Sequence, residues 1–178
     1  MTEKTQRQNI EQQRGKQAWD DIDEIKKLAE KTQRLLGENQ DEEIRKKLER
    51  LLREYEGLQK EYRSLARGLN AMIQINGLGQ SLGFLKAKGK VKVEDGVQKR
   101  NAHFYLLGHL THWMHEHFDT SIIDATSTEN DGLLRWVTNR ASNTDYRRAT
   151  TECLAFGSWL RRFAEAELKE PDAGTEQI

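Results

Sequence analysis

Proline occurs once in the 178 residues and cysteine once, and no apolar run approaches the thickness of a bilayer. Each shortage excludes something. A lone proline leaves nearly the whole chain free to be helical. Cys153 cannot form an internal disulfide and leaves a structural zinc site without its usual thiolates, so the chain fits a reducing cytosol. Spanning a membrane takes about 18 apolar residues in a row. Nothing of that kind occurs, and the polar opening Met1-Thr2-Glu3-Lys4 lacks the apolar stretch of a signal peptide, which reads as cytoplasmic and without membrane contact. Strand-like runs of Val, Ile and Thr are also missing, so an all-α fold is expected.

What the chain does have is charge. A third of the residues are charged, with 29 Lys and Arg against 29 Asp and Glu. That balance argues against a protein that coats nucleic acid by bulk attraction. Locally it is uneven. From Lys86 to Arg100 there are six cations and two acids, giving +4, while the stretch after Leu168 is acidic. A basic loop on a neutral chain suits docking to a phosphate backbone already held by something else, and it also suits an ordinary solvated lysine loop.

Helical stripes run through most of the sequence. Ala18, Ile22, Ile25, Ala29, Thr32 and Leu36 recur at steps of four and three and end at Gly37. Asn39 with Glu42 three residues on reads as an N-cap and capping box for a second helix. That helix carries Ile44, Leu48, Leu51, Tyr55, Leu58, Tyr62, Leu65, Leu69 and Met72 in an unbroken rhythm. Two such helices joined by a short turn predict an antiparallel hairpin. Gly77, Gly79 and Gly83 then imply an interrupted helix or a face approached closely by another backbone, and close packing is the expectation. No strand precedes Gly77-Leu78-Gly79, so it is not a dinucleotide-binding turn. After a loop from Gly89 to Gly96, a helix is predicted from about Gln98 to Phe118 with Phe104, Leu107, Leu110, Trp113 and Met114 buried. Its histidines His109, His112 and His115 fan around the axis, so they are expected to face solvent or a partner instead of sharing a metal ion. A short helix capped near Ser127 or Thr128 carries Leu133, Leu134, Trp136 and Val137. A longer one starts at Ser142 with Asp145, buries Tyr146, Ala149, Cys153, Phe156, Leu160 and Phe163, and stops before Pro171. Arg148 and Arg162 lie opposite that stripe, and Arg147 and Arg161 lie on its flank. The organisation expected is a compact bundle of five or six helices: a hairpin extension over residues 1–60, a core over 61–168, and a disordered acidic tail over 169–178.

No serine, cysteine or carboxylate falls into a catalytic constellation, and no cofactor or metal is expected. Several stretches, however, resemble a known family. Tyr62-Arg63-Ser64-Leu65-Ala66-Arg67, leading into Met72-Ile73-Gln74-Ile75-Asn76-Gly77-Leu78-Gly79-Gln80-Ser81-Leu82-Gly83-Phe84-Leu85-Lys86-Ala87-Lys88-Gly89, is similar to the small helical subunit of type III-B CRISPR-Cas (Cmr) effector complexes. So are Leu133-Leu134-Arg135-Trp136-Val137, Tyr146 to Phe156, and Trp159-Leu160-Arg161-Arg162-Phe163-Ala164. Asn70 stands where that family often has proline, and the charged hairpin from Asp23 to Lys60 is longer than usual. The resemblance implies a non-catalytic subunit that self-associates in a short filament beside the backbone subunits and lines the channel for guide RNA and target RNA. On that reading Arg63, Arg67, Lys86, Lys88, Lys90, Arg147 and Arg148 contact RNA without sequence preference, and Asn76, Gly77 and Gly79 have a packing role. The competing reading is a coiled-coil adaptor that joins proteins through the Ile44 to Met72 stripe and never meets RNA.

Overall fold

The computed structural model describes residues 3–94, 97–118 and 130–170, with backbone alone for residues 3–8 and 97. The expectations placed on Ser127, Thr128, Pro171 and the end of the acidic tail lie outside the described residues. Six helices and one small ribbon make up the rest, so the all-α expectation holds.

The hairpin forms as its stripes require. α1 (Glu3–Glu38) and α2 (Glu42–Asn76) run antiparallel. Ala18, Ile22, Ile25 and Ala29 are buried, as are Leu58, Tyr62, Leu69 and Ile73 from α2. Toward the turn the stripe runs out of partners, and Leu35 and Ile44 are exposed. The cap of α2 is Asp41, not Asn39. The Asp41 carboxylate accepts from the backbone N–H groups of Glu43 and Ile44, while the Asn39 side chain accepts from Asp41 N–H and shapes the turn. A carboxylate at that position also complements the positive helix end.

α2 ends because Gly77 adopts φ +81° and ψ 160°, a region open in practice to glycine alone. α3 (Leu78–Lys88) leaves in a new direction and buries Leu78, Leu82 and Leu85. The expectation of close backbone packing at the three glycines is therefore corrected. The cause is an interrupted helix at Gly77, and a Cβ at Gly83 would meet nothing within 4 Å.

The expected Gly89–Gly96 loop is mostly an antiparallel ribbon, β1 (Val91–Glu94) paired with β2 (Val97–Arg100), with Lys92 opposite Lys99. The signal was present in the alternation Val91-Lys92-Val93-Glu94, which is short but has the period of a strand. As a result the next helix begins later than the pattern suggested. α4 (Ala102–His117) is capped by Asn101, whose side chain accepts from Phe104 N–H.

α5 (Gly132–Asn139) and α6 (Asn143–Glu167) close the bundle. Ser142 caps α6 as expected: its hydroxyl accepts from Asp145 N–H and donates to the Asp145 carboxylate. The core is continuous from α1 to α6. Trp113 lies at its centre, stacked on Phe156 with ring centroids 4.8 Å apart. Each fully buried leucine here contributes about 1.5–3 kcal/mol. Polar links tie α1 to α6 along its length. Arg14 grips Glu152 with two bonds of 2.8 and 2.7 Å, and Lys26 reaches Glu167 at 2.7 Å. α1 thus belongs to the same core as the later helices.

Candidate nucleic-acid interface

The seven cations singled out from the sequence fall in three places. The first is on α2, beside the C-terminal end of α6. There Arg63 is largely covered, and its guanidinium donates to the Leu168 carbonyl at 2.8 Å and to the Glu170 carboxylate at 2.7 Å. Its donors are spent on capping α6, where the last carbonyls of a helix need partners. Arg67, one turn further on, is exposed.

The second place is the junction of α3 with the ribbon. Lys86 is half-buried and 3.5 Å from Asp131, a carboxylate that also pairs with Arg135 at 3.0 Å. Lys88 and Lys90 are exposed. Their backbone is nevertheless held firmly by Asn101, which donates to the Lys88 carbonyl at 2.8 Å and accepts from Lys90 N–H at 2.9 Å. One residue therefore caps α4 and fixes the presentation of two lysines. Sequence reasoning passed over it, although an asparagine directly before an apolar helix is a cap signal. The ribbon adds Lys92, Lys99 and Arg100, with Lys99 already neutralised by Glu54 at 2.6 Å and Glu94 at 2.8 Å. The Glu94 carboxylate is held below its usual range by the Lys99 ammonium. Beside the ribbon a cleft of about 510 Å³ is lined by Arg50, Glu54, Lys90 and Lys99 among others, a mixed wall and not a purely basic one.

The third place is the start of α6. Arg147 and Arg148 are exposed there, and Arg148 lies over the Phe118 ring at 5.0 Å and beside Asp145 at 3.5 Å. At 1.5 Å per residue, Arg147 and the Arg63 cap stand roughly 30 Å apart along α6. The cations do not converge on one pocket.

The glycines stand against one side chain. Tyr146 of α6 points at the start of α3, where its hydroxyl accepts from Gly79 N–H at 3.0 Å and would lie 3.4 Å from a Cβ at Gly77. Gly77 and Gly79 thus make room for a side chain. Asn76, beside them, is exposed.

A model of the family described as CRISPR-associated protein (Cas_Cmr5) matches residues 37–167, most of the chain. The chain belongs to the Cmr5 family. It is therefore a component of the Cmr, type III-B, machinery. Its fold is similar to the crystal structure of a CRISPR-associated Cmr5 family protein from Thermus thermophilus, with a TM-score of 0.53 and 19% identity over 89% of this chain and 97% of that one. The family match begins at the hairpin turn, so nearly all of α1 precedes it.

The remaining titratable groups of this Cmr5-family chain are mostly structural. His109, expected to face solvent or a partner, is buried instead, and its Nδ1 lies 2.7 Å from the Tyr62 hydroxyl. The correction follows from its neighbours, since Tyr62 of α2 and Asp21 and Glu24 of α1 surround the ring and enclose a position off the main stripe. His117 stacks on Trp113 with centroids 3.7 Å apart, while His112 is exposed. Among the described residues no three metal-ligating side chains are brought together. Burial pushes the Cys153 thiol far above its ordinary range, which removes it as a nucleophile. No helix of the described residues is long and apolar enough to cross a membrane.

Proposed function

We propose that this chain is a non-catalytic small subunit of a type III-B CRISPR-Cas effector. In this reading it stacks in several copies beside the backbone subunits in the cytoplasm and contacts guide and target RNA through phosphates. The observation that carries the proposal is the family match over residues 37–167. The spread of exposed cations supports it, since side chains distributed along a body suit a strand held by companion proteins better than a ligand captured in one pocket. Arg63 and Lys86 are partly covered, so the contact set centres on the exposed Arg67, Lys88, Lys90, Arg147 and Arg148. Such contacts carry no sequence information and weaken with salt as counterions are released.

The adaptor alternative loses ground for a specific reason. Leu58, Tyr62 and Leu69 of its docking stripe are consumed inside the bundle. The test is Lys88→Gln with Lys90→Gln in the assembled complex. RNA affinity should fall, and the slope of log affinity against log salt should become shallower by about 1.4 for each copy in contact, from about 0.7 per phosphate contact on a single strand. Unchanged affinity and slope would remove this junction from the interface.

A further inference from the structure

Phe84 is 42% exposed on α3, one helical turn before the exposed Lys88. Residues four apart share a helix face, so the ring and that lysine stand side by side, with Lys90 following where Asn101 holds the backbone. The ring has a fixed backing. His103 of α4 meets it with centroids 5.5 Å apart and planes at 61°, and the His103 side chain is only 13% exposed, its Nδ1 3.1 Å from a Glu61 carboxylate oxygen of α2. Burial holds the His103 imidazole below the ordinary histidine range against the pull of Glu61, and the Lys88 ammonium adds to the effect of burial, which puts both rings and the cation in one cluster. The flank of the Phe84 ring is open. Gly83 precedes it with space where a Cβ would go, and Ala87, three residues on, is small and exposed. Between Arg67 and Lys86 the chain has no charged side chain, so no carboxylate of α3 opposes an anion here.

An exposed aromatic ring beside cations is the combination that holds single-stranded nucleic acid: the ring takes the face of a base and the cations take phosphates. Every base has a π-face, so such a platform adds affinity without sequence preference. A protein segment is the poorer match, because Lys88 and Lys90 would lose their hydration against it.

We propose that Phe84 is a stacking platform for one unpaired RNA base, with Lys88 and Lys90 holding the adjoining phosphates. The inference rests on the RNA contact proposed for this chain and adds a base contact to the phosphate contacts.

The test titrates the full chain at low salt with hexauridylate and with an abasic ribose-phosphate oligomer of the same length, following the His103 imidazole resonances by NMR. A saturable shift is expected with both, about fivefold or more tighter with hexauridylate, from the stacking of one base. Phe84→Leu keeps an apolar side chain without the ring. It should bring hexauridylate down to the abasic level with the salt slope unchanged, and an unchanged affinity for the abasic oligomer shows that its fold is intact. Phe84→Tyr keeps the ring and should bind as the parent does. Lys88→Gln with Lys90→Gln should weaken both oligomers alike and make the salt slope shallower. Equal binding of the two oligomers by the parent, or hexauridylate binding undiminished by Phe84→Leu, would overturn the platform and leave the phosphate contacts standing. No saturable shift with either oligomer would overturn the platform and the lysine contacts together. A Phe84→Leu variant that binds hexauridylate normally but no longer enters the assembled complex would make Phe84 a protein contact instead.

Discussion

Replacing Gly77 by alanine, and separately Gly83 by alanine, tests the backbone argument for the α2–α3 break. At Gly77 the φ of +81° and ψ of 160° place any L-residue in strain, at a cost of about 1–3 kcal/mol. The new Cβ would lie 3.4 Å from the Tyr146 hydroxyl, tight enough to disturb the bond that this hydroxyl accepts from Gly79 N–H. Against this, alanine restricts the unfolded chain and returns about 0.4–1 kcal/mol. The net loss is about 1–2 kcal/mol, which for a chain of this size lowers Tm by about 3–6 °C. Gly83 is the control. It sits inside α3 with open space where a Cβ would go, so alanine there should stabilise by about 0.5–1 kcal/mol. Thermal melts followed by circular dichroism at 222 nm measure both. Equal behaviour of the two variants would refute the reasoning, since it would mean that neither the positive φ nor the Tyr146 contact constrains the break.

Two other sites give independent checks. Gly157→Ala should destabilise by about 1–2 kcal/mol despite the helix propensity gained, because its Cβ would collide with Asn70 Oδ1 while the Asn70 amide is held by the Leu154 carbonyl and the Ser158 hydroxyl; a chemical denaturation curve decides it, and Asn70→Ala should relieve the penalty. Glu152 is half-buried, which would raise its carboxyl, but the bonds from Arg14 and Trp113 outweigh burial and hold it below the usual range. Its contribution is therefore complete above the unfolded value of about 4.3 and is lost as pH falls through the folded value. Glu152→Gln should lower stability by about 1–3 kcal/mol at pH 7 and flatten the acid limb of the Tm profile, and an unchanged acid limb would show that the pair with Arg14 is not what holds α1 to α6 at neutral pH.

His109 works in the opposite direction from Glu152. Burial lowers its affinity for a proton, but Asp21 and Glu24 more than compensate and raise it above the ordinary histidine value. Its stabilising contribution is present below the unfolded value and is lost as pH rises through the folded one. The two groups therefore favour the folded chain from opposite ends of the pH scale.

Much of the architecture was legible from local pattern. The stripes of α1, α2 and α6 are repeated over many turns, so each predicts a buried face whatever that face packs against. The Ser142 cap needs only neighbours three residues apart, and it was read correctly. The ribbon was missed because four residues of alternation compete with a strong helical background. Asp41 was passed over for Asn39 because both are capping residues two positions apart, and the choice depends on the angle at which the turn delivers the chain.

The sequence by itself determined that this protein is a set of amphipathic helices with balanced charge, and it carried the family likeness in Tyr62–Gly89 and in the α6 stretch. Tertiary structure alone decided which cations stay exposed. Arg63 and Arg67 look alike in sequence, four residues apart on one helix, yet the end of α6 covers the first and leaves the second exposed. It also decided that His109 would be enclosed with Tyr62 and Asp21, residues 47 and 88 positions away. Periodicity records which side of a helix is covered, whereas the partner that covers it depends on contacts distant in sequence.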